Sequence, residues 1–141
     1  MLVPGLYQFF RRQLQHGFIQ QGLAEPATVD YVSDVLTRFA HTRAFYLIEN
    51  AEGAPIETIA GLLAEWHRTQ GWDDATPNRS REALVVRHLG EFTLFMSGLF
   101  RDRLRARGQL AYYIAQGRSA FWRCASREHN PRQAQVFRGL Y

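Results

Sequence analysis

Three side chains with titratable groups stand out near the middle of this 141-residue chain: His88, Glu91 and Tyr113. His88 and Glu91 are three residues apart, so they share one side of a helix if residues 77–100 are helical. An imidazole beside a carboxylate can transfer protons or bind a metal ion near neutral pH. A tyrosine from a neighbouring helix would complete such a site. One hypothesis is therefore a small-molecule- or metal-dependent enzyme.

The same pair also has a structural interpretation, because buried polar groups need partners whether or not they are catalytic. His88 would then donate a hydrogen bond inside the core, and Glu91 would pair with an arginine within the bundle. We favour this second interpretation and expect neither a metal nor a cofactor. Whether the protein is an enzyme stays open at this stage, with the sequence favouring a protein that is not.

Several enzyme classes lack their sequence signatures here. The eleven glycines form neither G-x-G-x-x-G nor G-x-x-x-x-G-K-[ST], and no lysine is present to serve a P-loop or a Schiff base. The hydrolase motif G-x-S-x-G is absent, as are H-E-x-x-H and the di-iron spacing of Glu three residues before His. Cys124 is the sole cysteine. It cannot form an intramolecular disulfide, and we interpret its thiol as packing.

All 17 Lys and Arg positions are arginine, which we attribute to genomic base composition. Residues 1–40 are neutral, residues 41–78 carry −4 and residues 79–141 carry +8, which together give the formal net charge of +4. This asymmetry predicts an acidic partner for the basic half, or complementarity within or between chains. The candidates for binding a ligand or an anion are Arg87, Arg101, Arg105, Arg118 and Tyr112.

Apolar residues recur with helical spacing along the whole chain, which predicts an all-α fold. We expect residues 1–141 to form a single-domain orthogonal or irregular bundle of five to six helices. Residues 44–48 are interpreted as a helix end or an extended connector. The predicted helices begin, in order, at Pro4, at Pro26, at Pro55, at Pro77 with Thr76 as N-cap, after Gly108, and at Pro131 after Asn130.

The segment 77–100 is apolar nearly all round, which predicts a helix at the centre of the bundle. Small residues near Gly90 form a strip that another helix can approach closely, and the next predicted helix has its own small face around Gly117. The broad apolar arc predicted to face the core consists of Leu84, Val85, Leu89, Phe92, Phe95, Met96, Leu99 and Phe100.

The run VRHLGEFTLFMSGLF at 86–100, followed by YYIAQGRSAF at 112–121, resembles a bacterial family of all-helical proteins with no known activity. The earlier segment YVSDVLTRF at 31–39 is similar to that family's preceding helix motif, so the resemblance spans about residues 30–125. Family members carry Asp at the position of Glu91 and continue beyond this C-terminus. The resemblance implies a self-contained helical fold in a bacterial protein and brings no mechanism.

The sequence shows no targeting signal and no apolar run free of ionisable residues that could span a membrane, so we expect a cytoplasmic protein without a membrane partner. The last apolar pattern runs to the C-terminus. A chain that stops inside an amphipathic helix is expected either to lack a C-terminal tail or to dock its end elsewhere.

The favoured function is a helical protein-interaction or regulatory module that binds a protein partner or a second copy. The first alternative is an enzyme with its site at His88, Glu91 and Tyr113. The second alternative, nucleic-acid binding through the arginine-rich C-terminal half, is disfavoured. Its arginines at 101, 103, 105 and 107 are two residues apart, so on a helix they point to opposite sides.

Overall fold

The computed structural model describes residues 5–20, 25–41, 48–50, 52–70 and 77–140. Every regular element in these ranges is an α-helix, which confirms the predicted all-α bundle. An isolated antiparallel bridge joins Glu49 to Pro55. The described helices are α1 (Leu6–Gln20), α2 (Pro26–Phe39), α3 (Ile59–Thr69), α4 (Arg79–Leu99), α5 (Arg101–Ala106), α6 (Leu110–Arg127) and α7 (Pro131–Arg138).

Seven helices are described where five to six were predicted. The difference comes from α5, because the sequence predicts no separate helix between the one that begins at Pro77 and the one that begins after Gly108. Phe100 leaves helical geometry with φ −117° and ψ 30°, and it separates α4 from α5. Gly108, with φ +68°, then ends α5 in a left-handed conformation that glycine adopts without strain.

Two predicted helix starts are wrong. In both cases a capping hydrogen bond marks where the helix begins. The third helix begins at Ile59 rather than Pro55, because Pro55 lies in the bridge to Glu49 and Thr58 caps the helix by accepting from the amide of Gly61. The fourth helix begins at Arg79, because the Asn78 side chain accepts from the amide of Arg81.

Other predicted boundaries hold or lie outside the described residues. The predicted starts at Pro26 and at Pro131 after Asn130 are confirmed, and the Asn130 side chain accepts from the amides of Arg132 and Gln133. Pro4, Thr76 and residues 44–47 lie outside the described ranges. The first described helix begins at Leu6.

Helix α4 lies at the centre of the fold, as predicted, and packs along α6 and against α2 and α3. The two small-residue faces meet there. A Cβ atom on Gly117 of α6 would lie 2.5 Å from Oγ1 of Thr93, and one on Gly90 of α4 would lie 3.0 Å from the ring of Phe121. The predicted close approach of α4 and α6 is therefore confirmed, and it depends on the missing side chains.

The predicted apolar arc of α4 is too broad. Leu84, Leu99 and Phe100 are 54%, 46% and 40% exposed, whereas Val85 and Leu89 are fully buried. The buried residues of α4 lie between Glu82 and Phe95 and cover most of its circumference, whereas Leu99 and Phe100 lie at its C-terminal end. Leu84 is exposed near the N-terminal end of the helix. Within the described ranges, no helix is both long and apolar enough to cross a membrane.

Candidate functional site

The carboxylate of Glu91 lies in the core, where it is surrounded by donors from two helices. Its side chain is 3% exposed. Tyr31 of α2 donates its hydroxyl to Oε2, Arg38 of α2 places Nη2 3.1 Å from Oε1, and Arg87 places Nε 3.1 Å from Oε2. A carboxylate removed from water is tolerated when cations and hydrogen bonds satisfy both oxygens. The predicted pairing of Glu91 with an arginine is confirmed.

The hydroxyl of Tyr31 keeps its proton at physiological pH and donates it in a hydrogen bond to Glu91. Burial, together with the negative charge of Glu91, raises the pKa of the Tyr31 hydroxyl far above its ordinary value. The guanidinium of Arg87 lies 5.4 Å from the centre of the Tyr31 ring and 5.8 Å from that of Phe137. The cluster therefore joins α2, α4 and α7 through ionic and cation–π contacts.

His88 lies one turn from Glu91 and is 1% exposed. Its ring stacks on Phe39 at 5.5 Å and lies 6.4 Å from the ring of Phe92. Neither ring nitrogen has a hydrogen-bond partner among the described residues, so the predicted hydrogen bond of His88 is not found there. Burial lowers the pKa of His88 to about 4, which keeps the ring neutral at physiological pH.

Tyr113, the third predicted catalytic candidate, lies on α6 and packs against Phe92 of α4. The rings of Phe92 and Tyr113 are 6.3 Å apart and stacked, and Tyr113 is half-buried. Solvent does not reach the nitrogens of His88. The structure therefore places His88 and Glu91 together in the core and leaves Tyr113 outside their contacts.

Two further buried glutamates repeat the arrangement around Glu91. Glu82, 3% exposed in its side chain, accepts from Nε1 of Trp66 at 3.0 Å and pairs with Arg123 at 3.3 Å and Arg127 at 2.9 Å. These contacts tie α4 to α3 and to α6. A buried carboxylate held by two guanidiniums is thus a recurring unit of this core.

The third such carboxylate, Glu65 of α3, is 9% exposed in its side chain. It pairs with Arg68 at 3.1 Å and with Arg81 of α4 at 3.2 Å. The Glu65–Arg81 pair joins the acidic segment 41–78 to the basic segment 79–141. The predicted charge complementarity within the chain is therefore realised at this contact.

The predicted anion-binding residues are dispersed. Arg87 is committed to Glu91, and Arg105 lies 3.8 Å from Asp102 on the exposed surface of α5, where Arg101 is also exposed. Arg118 lines a cavity of about 140 Å³ between α4 and α6. Tyr112 is 46% exposed. The structure does not bring these five side chains to one place.

A groove lies between the C-terminal end of α4, α5 and the start of α6, and its lining includes Arg103 and Arg107, which were not among the predicted anion-binding residues. We call it the α5 groove. Its volume is about 350 Å³, and the residues that line it are Met96, Phe100, Arg103, Leu104, Arg107, Gln109 and Tyr113. Arg103 lies in α5, and Arg107 directly follows its last helical residue, Ala106. The two-residue alternation of the arginines divides them into two pairs, 101 with 105 and 103 with 107, and the packing of α5 against α4 and α6 decides which pair lines the groove.

Within the described ranges, no group of three or more His, Cys, Asp or Glu side chains could hold a metal ion. Cys124 of α6 is half-buried, and burial raises the pKa of its thiol to about 12, so it is a neutral thiol at physiological pH. No protein-family profile, curated protein sequence or solved structure matches the chain. The bacterial family resemblance of residues 86–100 stays a prediction.

Proposed function

We propose that the protein is a helical interaction module that binds an acidic segment of a protein partner in the α5 groove. The observation that carries this proposal is the composition of the groove wall. Arg103 and Arg107 lie one turn apart beside Phe100 and Tyr113, and no acidic side chain is among the lining residues. Neither arginine makes an ion pair with the described residues, so both guanidiniums can bind carboxylates from outside.

Exposed apolar side chains surround the same end of the molecule. Leu99 and Phe100 are 46% and 40% exposed, and Tyr112 at the start of α6 is 46% exposed. Protein interfaces are enriched in arginine and aromatic residues, and their centres exclude water from apolar contacts. An acidic segment with one or two large apolar side chains matches both the charge and the surface of the groove.

The two alternative functions receive less support from the geometry. A catalytic role for His88 and Glu91 requires access to substrate, but both side chains are buried in the core. Nucleic-acid binding relies on a stripe of cations along a phosphate backbone. Of the four closely spaced arginines, only Arg103 and Arg107 line the groove, while the exposed Arg101 and Arg105 are outside its lining.

The proposal is tested by selecting a displayed library of random peptides on the wild-type protein and counter-selecting on the R103Q/R107Q variant. We expect the retained peptides to combine Asp or Glu with Leu, Phe or Trp. Affinity of a selected peptide should fall at least about tenfold on R103Q/R107Q, because each charge-assisted hydrogen bond contributes roughly 1.5–3 kcal/mol. It should also weaken as salt is added.

The matched control is R132Q/R138Q, which removes two exposed arginines of α7 far along the chain from the groove. This variant should bind a selected peptide as the wild type does. Peptides without acidic residues, equal loss on both variants, or preferential binding of duplex DNA would contradict the proposal. Self-association that disappears in R103Q/R107Q would also contradict it, since the occupant would then be a second copy.

A further inference from the structure

Helix α5, which forms one side of the α5 groove, is the shortest of the described helices and buries one side chain. Leu104 is 4% exposed, whereas the other five residues of α5 are exposed. A helix of six residues is not stable by itself in water, so α5 depends on packing for its structure. Its packing against α4 and α6 therefore relies on Leu104.

Leu104 is buried outside the main core. The buried apolar residues of the other helices form one continuous cluster, and Leu104 is not among its members. It lines the α5 groove together with Met96 and Tyr113, two partly buried residues at the edge of that cluster. Such a satellite contact can be lost while the continuous core stays packed.

Both ends of α5 depart from regular helical geometry. Phe100 separates α5 from α4 and provides no side-chain cap, and Gly108, with φ +68°, separates α5 from α6. The amide of Leu104 donates to the carbonyl of Phe100, and the amide of Gln109 donates to the carbonyl of Leu104. These hydrogen bonds close within residues 100–109, so losing them leaves the hydrogen bonds inside α4 and α6 intact.

We infer that residues 101–107 form a flap, which unfolds and detaches from α4 and α6 as one unit while the rest of the bundle stays folded. Segments with few buried apolar contacts open at a lower free energy than the whole protein unfolds. Arg103 and Arg107 leave the α5 groove when the flap opens, so the closed flap is the state that binds a partner. This control of binding rests on the proposed function, whereas the opening of the flap does not.

Native-state hydrogen exchange of the free protein tests the flap directly. The amides of residues 104–109 should share one level of protection, at least about a hundredfold below that of residues 85–89 in α4. Low concentrations of urea should accelerate exchange of residues 85–89 and leave residues 104–109 nearly unchanged, because opening the flap exposes little surface. Equal protection of the two segments would overturn the inference, as would protection that declines steadily from one end of residues 104–109, which indicates fraying.

Two variants separate opening of the flap from unfolding of the bundle. Glu91→Gln weakens the core whether the flap is open or closed, so exchange of residues 85–89 should accelerate at least about tenfold and that of residues 104–109 less than about twofold. Leu104→Ala should accelerate residues 104–109 at least about tenfold, because it truncates the only buried side chain of α5. Leu84→Ala, the matched control, truncates a leucine that is 54% exposed and should leave these residues unchanged. Equal acceleration of both segments in E91Q, or equal effects of L104A and L84A, would overturn the inference.

Control of the α5 groove by the flap is tested with a peptide selected for that groove. At a hundred times its Kd, the peptide should raise the protection of residues 104–109 about a hundredfold in the wild type. The same concentration should add no protection in R103Q/R107Q. Peptide binding without added protection would contradict control by the flap. If no peptide is selected, the proposed function fails, and exchange in the free protein still decides whether the flap exists.

Discussion

The arginines of the core and those of the α5 groove are chemically identical but have different neighbours. Around Glu65, Glu82 and Glu91, two guanidiniums converge on each buried carboxylate. In the α5 groove, Arg103 and Arg107 lie beside aromatic rings with no acid in the lining. Arginine content alone therefore does not indicate function in this protein. The nearest carboxylate decides whether an arginine stabilises the fold or is available to a partner.

Geometry explains why arginine suits the core clusters. A guanidinium has several donors in one plane, so it can contact a carboxylate and still face an aromatic ring. Arg87 does both, because its Nε contacts Glu91 while its guanidinium lies over Tyr31 and Phe137. Arg81 likewise contacts Glu65 and donates Nη2 to the carbonyl of Glu49. These clusters link helices that are distant in the sequence.

Removing the carboxylate of Glu91 should reduce the stability of the protein most. Glu91→Gln should lower the free energy of unfolding by about 3 kcal/mol, because Arg38 and Arg87 lose their buried counter-charge. Urea denaturation measures the change. The exposed Glu57 provides the matched control, and Glu57→Gln should change stability by less than ~0.5 kcal/mol. Equal losses in the two variants would show that the cluster contributes nothing specific.

The second prediction concerns how the stability of the protein depends on pH through His88, which is neutral and lies one turn from Glu91. Burial lowers the pKa of His88 from 6.5 to about 4, so the unfolded chain binds this proton at a higher pH than the folded one. Stability should therefore fall by about 3 kcal/mol as the pH drops from 6.5 to about 4. Glu91 opposes the lowering of this pKa and Arg38 adds to it.

The variant His88→Leu should lack this part of the pH dependence, whereas replacement of the exposed His129 by Gln should keep it. Urea unfolding followed across the same pH range measures both variants. If H88L retained the full wild-type slope, the acid sensitivity would have to come from other groups, and the structural role given to His88 would be wrong.

A smaller change in stability is expected from a substitution at Gly117, where α4 and α6 approach closely. Gly117→Ala should destabilise the protein by roughly 1–3 kcal/mol, because its Cβ would lie 2.5 Å from Oγ1 of Thr93. Gly98 of α4 is exposed and has no atom within 4 Å of an added Cβ. Gly98→Ala should therefore be neutral or stabilise by up to ~1 kcal/mol. Thermal unfolding distinguishes the two variants. If Gly98→Ala lowered the unfolding midpoint as much as Gly117→Ala, the close approach of α4 and α6 at Gly117 would be contradicted.

The sequence was informative wherever the controlling interaction was local. Proline at the first helical position located the start of α2, and Asn130 located α7. The four-residue spacing of Arg87 and Glu91 made their ion pair foreseeable. The small residues of α4 and α6 indicated their contact, because missing side chains permit a close approach regardless of the neighbouring sequence.

Sequence patterns failed where partners come from elsewhere in the chain. The start of α3 depends on the amide of Ile56 donating to the carbonyl of Ile48, which no helical spacing reveals. The contact of Arg38 with Glu91 joins residues 53 positions apart (91 minus 38), and the α5 groove depends on how α4, α5 and α6 meet. Leu84 is likewise 54% exposed, although its spacing places it on the predicted apolar arc of α4.

The most direct test of the difference between core and groove arginines compares two double variants by urea unfolding. R38Q/R87Q and R103Q/R107Q each remove two positive charges, so their formal net charges are identical. The first should lose about 3 kcal/mol of stability, because it leaves Glu91 buried without a cation. The second should change by less than ~0.5 kcal/mol. Equal losses, or a larger loss in R103Q/R107Q, would contradict the assignment of stability to the core arginines.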